Sequence, residues 1–295
     1  MEVPCGQCIG CRLDYSRDWA VRCTHEAKMW KHNCFITLTY DDENLPSHGT
    51  LVKKHFQDFM KRLRKKYKGI EYDQHGKKPI RFFHCGEYGD KYNRPHYHAL
   101  LFNFDFPDKT SWVVRNGNRT FRSLSLNRIW GKGLVEIGSA NWKSAAYVAR
   151  YIVKKINGDE SEAHYKALNV NIQTGAIQAP DGQITQASIL PEYTTMSSKN
   201  GIGYDWYKKY GDSNLWATGT CVVLNTEGKS FECRIPRYYV EQLKLDNPEK
   251  YEIFKAKQLE KAQLNSIDNS PERLEQKRQV KERSLQRLLR KIDHD

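Results

Sequence analysis

The sequence lacks any apolar segment long enough to cross a membrane and any N-terminal pattern of a secretory leader. No run approaches about 18 apolar residues. The first residues also do not show the basic, apolar and small-residue order of a signal peptide. No P-loop motif and no internal repeat is present. These absences predict a soluble, intracellular globular protein that has no membrane partner.

Acidic residues are too few to balance the basic ones. The 295 residues include 35 Asp and Glu against 48 Lys and Arg, a net charge of +13. This excess favours a polyanionic partner, nucleic acid first and an anionic membrane second. More than half of it lies in residues 53–68, where eight Lys or Arg accompany the single Asp58. Apolar residues recur there at helical spacing, which predicts an amphipathic helix whose basic face contacts phosphates; a merely solvated face is the alternative.

Three of the eight cysteines form a C-x-x-C-x-x-C run at Cys5, Cys8 and Cys11. In a chain without an export signal, such a run indicates zinc or iron–sulfur ligands rather than disulfide partners. The candidates for a fourth ligand are Cys23, His25, Cys34 and Cys85. The alternative is three reduced thiols near the start of a helix.

A second candidate metal site lies around residues 94–102. Residues 99–102 are apolar on both faces, as in a central strand, and the period of two places His96 and His98 on one face, about 6.6 Å apart. A second predicted strand at 80–87 and a hairpin loop at 88–95 would bring Glu87 beside them. Two imidazoles and a carboxylate suit Mn²⁺ or Mg²⁺, and also non-haem iron. The alternative is two histidines that happen to share a core strand.

The order of the predicted elements indicates an α+β fold. The elements before residue 157 are a helix at 12–29, a strand at 34–40, the basic helix, the strands at 80–87 and 95–102, an insertion or lengthened hairpin at 104–127, a strand at 133–137 and a helix at 145–156. This order is similar to the split β-α-β arrangement of ferredoxin-like domains, an antiparallel sheet backed by helices.

The sequence after residue 156 predicts loops followed by a helical extension. Residues 157–190 are rich in Gly, Asn and Gln, and 191–203 predict a loop that either wraps a phosphate backbone or lies at the surface. Beyond it we predict a strand pair and charge-dense helices. The expected domains are 1–205, which includes the sheet and the Cys-rich N-terminal helix, and 206–295, a C-terminal strand pair with a charged helical extension.

The helix at 145–156 includes a pair of tyrosines. Tyr147 and Tyr151 are four residues apart, hence on one helix face, and Lys154 and Lys155 follow one turn later. Packing is the commoner reason for such a pair. Beside a bound cation that polarises a phosphate, however, a phenol could attack and form a 5′-phosphotyrosine bond, leaving a free 3′-hydroxyl. The strand could then be rejoined without ATP.

These segments resemble a known family. Residues 34–40, Glu87 with the His-Tyr-His at 96–98, and residues 147–155 are similar, in order, to the three motifs of HUH endonucleases. The paired tyrosines resemble the tyrosine pair of rolling-circle initiators from small single-stranded DNA phages. The sequences CGQCIGC at 5–11, CGEYG at 85–89 and PEYTTMS at 191–197 resemble the initiators of gokushovirus-type microviruses. The resemblance covers roughly residues 5–203.

The resemblance implies a role for each matching residue. The metal ligands would be Glu87, His96 and His98, and the nucleophiles would be Tyr147 and Tyr151. Lys154 would assist, with Lys155 as its rival. Tyr97 stands where the family has a bulky hydrophobic residue, and we expect its side chain to face away from the metal.

The implied function is to nick single-stranded or hairpin origin DNA, remain covalently attached, and free a 3′ end for rolling-circle replication in the host bacterial cytoplasm. Because the sequence has no P-loop, we expect unwinding by a host helicase, with synthesis by a host polymerase. A relaxase or transposase of the same chemistry is one alternative. A non-catalytic single-stranded DNA-binding protein is another, and a two-His-one-carboxylate oxygenase is the third.

Overall fold

The computed structural model describes most of the chain. The described residues are 5, 6, 8–67, 72–73, 76–77, 79–89, 92–115, 117–154, 189–225 and 228–292, of which 72–73, 76–77, Arg115, 151–154, Ile267 and 285–292 are described by backbone alone. Its helices are α1 (Ile9–Lys28), α2 (Lys53–Lys66), α3 (Leu124–Trp130), α4 (Trp142–Lys154), α5 (Tyr204–Tyr210), α6 (Leu215–Thr218), α7 (Arg237–Asp246), α8 (Pro248–Leu264) and α9 (Pro271–Ile292). Its strands are β1 (Asn33–Thr39), β2 (Tyr72–Asp73), β3 (Gly76–Lys77), β4 (Arg81–Tyr88), β5 (Pro95–Phe102), β6 (Thr110–Arg115), β7 (Asn118–Arg122), β8 (Val135–Ser139), β9 (Tyr193–Met196), β10 (Thr220–Leu224) and β11 (Ser230–Arg234).

The chain divides into two compact units by its internal contacts. One unit comprises Met1–Met29, Asn141–Ala146 and Ser198–Asp295, and the other comprises Trp30–Ala140 and Tyr147–Ser197. The predicted boundary at residue 205 stays a prediction, because a compact unit need not be a domain that folds by itself. Within the described residues, no helix combines the length and the hydropathy that a bilayer crossing requires.

The unit of residues 30–140 and 147–197 is built on a seven-stranded sheet in the order β6-β7-β8-β1-β5-β4-β9. Neighbouring strands pair antiparallel, so the predicted α+β fold with an antiparallel sheet and helices, including the C-terminal ones, is confirmed. The predicted central strand is β5, which pairs with β1 on one side and β4 on the other.

The two faces of this sheet differ in composition. Tyr97, Ala99 and Leu101 of β5 are buried in the hydrophobic core; we call this side the core face. Helices α2 and α3 pack on it through buried side chains, namely Phe56, Phe59, Met60, Leu63, Leu126, Ile129 and Trp130. Because side chains alternate along a strand, His96 and His98 lie on the opposite side, which we call the site face.

Two sequence expectations for this unit need correction. The segment 104–127 contains not only the β6–β7 hairpin but also α3, which Ser123 caps by accepting a hydrogen bond from the Leu126 N–H at 3.0 Å. A seven-residue helix is too short to give a clear period. The predicted loop at 191–203 includes the strand β9, because its Tyr-Thr-Thr content suits a strand and the edge of β4 supplies a partner.

The other unit packs α1 and the C-terminal elements around an aromatic core. His25 of α1 is fully buried and stacks on Trp206, with ring centroids 3.6 Å apart. The predicted C-terminal strand pair is confirmed as β10 and β11. The charge-dense C-terminal segment is helical, as predicted, but a 3-10 turn at Ser266–Asn269 separates α8 from α9. Residues 155–188, for which loops and the end of a helix were predicted, lie outside the described residues.

Candidate metal centre and its tyrosine

The three predicted ligands lie on adjacent strands of the site face. Glu87 of β4 stands directly opposite His96 of β5, and His98 follows two residues later on the same face. The turn between the strands is closed by hydrogen bonds between Gly89 and Arg94 and between Asn93 and Gly89. The predicted hairpin is therefore confirmed, and the structure brings the three side chains together.

One carboxylate oxygen joins both imidazoles. Glu87 Oε1 lies 2.6 Å from Nε2 of His96 and 2.7 Å from Nε2 of His98. The three candidate ligand atoms all lie within 4.8 Å of one another. Glu87 is only 2% exposed and His98 is also buried. A cluster this compact could hold a single ion.

Nδ1, the second ring nitrogen of each imidazole, also has a hydrogen-bond partner. Nδ1 of His96 lies 2.9 Å from the carbonyl oxygen of Arg94, which can only accept, so this nitrogen carries the proton. Nδ1 of His98 lies 3.0 Å from Thr37 Oγ1. Such partners fix the orientation of metal-binding histidines and leave Nε2 for the cation.

Glu87 is suited to hold a cation. Its burial by itself raises the pKa of the carboxyl, but attraction to His98 and hydrogen bonds from both histidines outweigh burial and lower the pKa. Its Oε2 atom is buried and makes no hydrogen bond within the described part of the chain. An ionised, buried carboxylate with a spare oxygen beside two imidazole nitrogens fits a divalent cation.

The hairpin leaves little room behind His96. A Cβ added at Gly89 would lie 3.3 Å from Cε1 of His96, closer than ordinary van der Waals contact. A larger residue at this position would press on the imidazole. Gly89 therefore keeps the ring where it meets Glu87.

Tyr147 of α4 reaches the cluster. Its hydroxyl lies 3.4 Å from Nε2 of His98, and its ring meets the His98 ring edge-on, with centroids 5.0 Å apart. The phenol ring also packs edge-on against Phe35 of β1, which itself stacks on His98. Helix α4 begins with a capping pair, in which Asn141 Oδ1 accepts from the Ser144 N–H and Ser144 Oγ accepts from the Asn141 N–H.

The remaining predicted catalytic residues are described less fully. Tyr151 and Lys154 belong to α4 by their backbone, one turn and two turns beyond Tyr147, but their side chains lie outside the description. Lys155 lies outside the described residues altogether. Of the two predicted nucleophiles, the structure thus places the phenol of Tyr147 beside the cluster.

Tyr97 faces away from the cluster, as predicted. Its hydroxyl lies 2.7 Å from the hydroxyl of Tyr40, accepts from the Val52 N–H at 2.9 Å and donates to the Val52 carbonyl at 3.0 Å. All of these atoms are on the core face. The tyrosine thus replaces a hydrophobic residue by completing a buried hydrogen-bond network.

Sequence reasoning missed Thr37 and Phe35 as parts of the site. Both residues belong to β1, about 60 residues before His98, and face it only because Thr37 pairs with His98 across the strands. The period of two within 34–40 was a usable signal for which residues share a face. The register between distant strands was not available from the sequence.

The basic helix α2 packs on the core face, behind the sheet as seen from Glu87 and the histidines. Two of its basic side chains bind backbone carbonyls: Arg62 donates to Ile129, and Arg64 donates twice to Ile80. The exposed lysines of α2 therefore present their charge on the side opposite the site face. Their predicted phosphate contact stays a prediction, and it concerns a different surface from the candidate metal centre.

The N-terminal cysteines also form a cluster. The Cys8 N–H donates to Cys5 Sγ at 3.2 Å, and the sulfurs of Cys8 and Cys11 are 3.5 Å apart. Within the described residues this group has three ligands and no fourth. Cys23 is buried, and the imidazole of His25 contacts the Tyr239 hydroxyl and the Val222 carbonyl.

Comparison with known proteins identifies relatives over nearly the whole chain. The family model for replication-associated proteins of the ORF2 type matches residues 33–156. Replication-associated protein VP4 of Bdellovibrio phage phiMH2K is 34% identical over 277 residues, which cover 92% of this chain and 77% of the relative. Replication-associated protein ORF2 of Spiroplasma virus 4 is 33% identical over 255 residues, 83% of this chain and 71% of the relative. No solved structure shows significant similarity.

Proposed function

Because this chain belongs to the family of phage replication-associated proteins, we propose that it starts rolling-circle replication by nicking one strand of single-stranded or hairpin origin DNA. The observation that carries the proposal is the Tyr147 hydroxyl, 3.4 Å from a histidine that shares Glu87 with His96. A nucleophile beside a cation-binding cluster is the arrangement that tyrosine attack on a phosphate needs.

In this proposal Glu87, His96 and His98 hold a divalent cation, Mg²⁺ or Mn²⁺. When bound, the cation supplies Lewis-acid polarisation of the scissile phosphate and neutralises its developing charge. Thr37 and the Arg94 carbonyl keep the two imidazoles in the orientation that points Nε2 at the cation.

Tyr147 performs the attack. The bond from its phenolic oxygen to phosphorus forms while the bond from phosphorus to the 3′ oxygen breaks. The phenol loses its proton to solvent and the leaving 3′ oxygen gains one, so the products are a 5′-phosphotyrosine and a 3′-hydroxyl. Tyr151 would serve as the second nucleophile, and Lys154, with Lys155 as its rival, would stabilise the charge on the phosphate.

The freed 3′-hydroxyl needs a polymerase and the duplex needs a helicase. We expect both from the host, and we expect the reaction in the host bacterial cytoplasm. The exposed lysines of α2 would bind DNA phosphates away from the cutting site, behind the sheet.

The test is incubation of the protein with Mn²⁺ and single-stranded oligonucleotides that tile the genome encoding it, followed by intact-protein mass spectrometry. We expect a covalent DNA adduct that persists when either tyrosine alone becomes Phe and disappears when Tyr147→Phe and Tyr151→Phe are combined. Salt-sensitive binding without an adduct would instead favour a non-catalytic single-stranded DNA-binding protein. Transfer of the attached strand to a second molecule, without recircularisation, would favour a relaxase or transposase.

We further propose that Cys5, Cys8 and Cys11 hold a structural Zn²⁺. Three thiolates and one Zn²⁺ have a net charge of −1, which is favourable at the N-terminus of α1. Cys8 is the N-cap of that helix and its side chain makes no capping hydrogen bond, and the first turn has no acidic residue. Zinc content by elemental analysis should be one per chain and should be lost in Cys8→Ser, but kept in the buried control Cys233→Ser.

A further inference from the structure

An exposed tryptophan stands on the β6–β7 hairpin at the edge of the sheet. Trp112 is 52% exposed, which is unusual for so large an aromatic side chain. The guanidinium carbon of Arg122 lies 3.2 Å from the centroid of its ring. One face of the indole is thus covered by a cation, and the exposure of the ring leaves surface for another planar group.

The backbone at this point is irregular. The pairing of β6 with β7 shifts register between Ser111 and Val114, so β6 holds a bulge in which Trp112 lies. A bulge turns a side chain away from the regular direction of its strand, and such features are frequent beside functional sites. Strand β6 is also the last strand of the sheet at this edge.

The hairpin that carries Trp112 is basic, although Lys109 pairs with Asp105 and Glu136 lies on the site face of the adjacent strand β8. Residues 109–122 contain Lys109, Arg115, Arg119 and Arg122 and no Asp or Glu. An aromatic ring among cationic side chains is the combination that binds single-stranded nucleic acid, because a base stacks on the ring while the cations contact phosphates. An acidic protein surface could also pair with the cationic side chains, but it would not stack on the indole ring.

The pair of Trp112 and Arg122 belongs to the site face. Phe121 packs against the core and pairs with Ile137 of β8, so its neighbour Arg122 points to the other side of β7. Strands β8 and β1 lie between β7 and β5, which carries His96 and His98. Trp112 itself belongs to β6, four strand spacings or about 19 Å from β5.

We propose that Trp112 stacks on a base of single-stranded DNA that lies across the site face, while Arg122 contacts the phosphate backbone. At about 3.4 Å of strand per phosphate when stacked, and more when extended, about 19 Å places this base roughly three to six nucleotides from the phosphate at the metal centre. This inference rests on the proposed function in one respect: it takes the metal centre to be the place where the DNA is cut. Trp112 acts in binding and positioning, and it touches no reacting atom.

Binding is measured first, by fluorescence anisotropy of a labelled single-stranded oligonucleotide of mixed sequence in EDTA, where no cutting occurs. We expect Trp112→Ala to weaken binding by about tenfold, because base stacking on an aromatic ring is lost. Trp112→Phe should retain most of the affinity. The matched control is Val114→Ala on the same hairpin, which removes a side chain that is 55% exposed and should change affinity less than about twofold.

The position of the contact is measured next, with single abasic sites placed along the oligonucleotide. One abasic site, roughly three to six nucleotides from the cut, should weaken binding to the native protein and should have no further effect on Trp112→Ala. The cut itself is located from the product lengths. The loss of affinity in Trp112→Ala and at an abasic site is an equilibrium measurement, so it can be seen even if no covalent adduct forms, in which case only the proposed function fails. The distance from the cut is read only when cutting occurs.

Two results would overturn the inference. One is an unchanged DNA affinity in Trp112→Ala, whether or not the native protein forms adducts. The other is an unchanged DNA affinity together with a change in self-association, seen by analytical ultracentrifugation, which would assign the hairpin to a protein interface instead.

Discussion

The two faces of the sheet serve different purposes through alternate residues of the same strands. On the core face, Tyr97, Ala99 and Leu101 pack with α2 and α3 in an apolar interior. On the site face, His96 and His98 of the same strand converge on Glu87. The stability of the fold thus depends on the residues of the core face, and the proposed reaction depends on the residues between them, which point to the site face. Substitutions one residue apart should therefore separate the two properties.

The site face holds a charged group in a buried position. It holds a buried carboxylate with an oxygen that has no hydrogen bond in the described part of the chain. A buried polar atom left in this way costs free energy unless a ligand satisfies it. The core face supplies the burial that holds this arrangement together.

The largest separation of adduct formation from DNA binding is expected for a substitution of His98. His98→Ala removes a proposed metal ligand, and adduct formation should fall on the order of a thousandfold, because Lewis-acid stabilisation is worth several kcal/mol. Adduct yield against time measures the loss. Affinity of the folded variant for single-stranded DNA in EDTA should stay close to that of the native protein. A collapse of affinity together with activity would mean that the histidine serves binding or folding.

The converse change is on the core face of β1, one residue from Thr37. Leu38 is fully buried, so Leu38→Ala should lower the free energy of unfolding by about 2–5 kcal/mol, measured by urea denaturation. The adduct rate per folded molecule should remain near the native value. A loss of Mn²⁺ binding in the folded variant would show that the faces are coupled more strongly than their packing indicates.

A pH effect is expected on the core face at His84. Burial, with repulsion from His98 as a smaller cause, lowers the pKa of His84 well below its usual 6.5. The unfolded chain therefore gains a proton below pH 6.5 that the folded chain does not, and stability falls by about 1.4 kcal/mol per pH unit from this group. Stability above pH 6.5 is unaffected by it.

Urea denaturation in EDTA at several pH values between 5 and 8 measures this slope. His84→Gln keeps a hydrogen-bonding group near Thr195 Oγ1, which lies 2.8 Å from Nδ1 of His84, but it cannot titrate. Its stability should depend less steeply on pH below 6.5. Equal slopes for the variant and the native protein would contradict the assignment.

The smallest effect is expected at Thr37, whose hydroxyl holds Nδ1 of His98. Thr37→Val should weaken Mn²⁺ affinity by about tenfold, since the partner of a ligand's second nitrogen orients that ligand. Isothermal titration calorimetry measures the change. Thr194→Val, also on the site face but opposite Cys85, is the matched control. The same loss in both variants would point to a general effect of the sheet.

The sequence predicted what depends on local spacing. Strand period and a short turn were enough to place Glu87 beside His96 and His98, and helical spacing placed Tyr147 and Tyr151 on one helix. What depends on long-range register was not predictable. Thr37 meets His98 only through the pairing of β1 with β5. The amphipathic pattern of α2 predicted a buried side, but not that this side would pack on the face away from the metal centre.

Short elements at the edges were also missed. Helix α3 has a single turn of apolar residues beyond its Ser123 cap, and β9 has four residues whose partner strand lies about 110 positions earlier. Neither has enough length to give a period. Each is stabilised by the sheet or core that it joins rather than by its own propensity.

The central claim is that a cation held by Glu87, His96 and His98 lies within reach of the phenol of Tyr147. Tandem mass spectrometry of the peptide that carries the DNA adduct, formed with and without Mn²⁺, tests it most directly. We predict DNA attached to Tyr147 or Tyr151, only with the metal present and not in His98→Ala. DNA attached to any other residue, or an equal yield in EDTA, would contradict the claim.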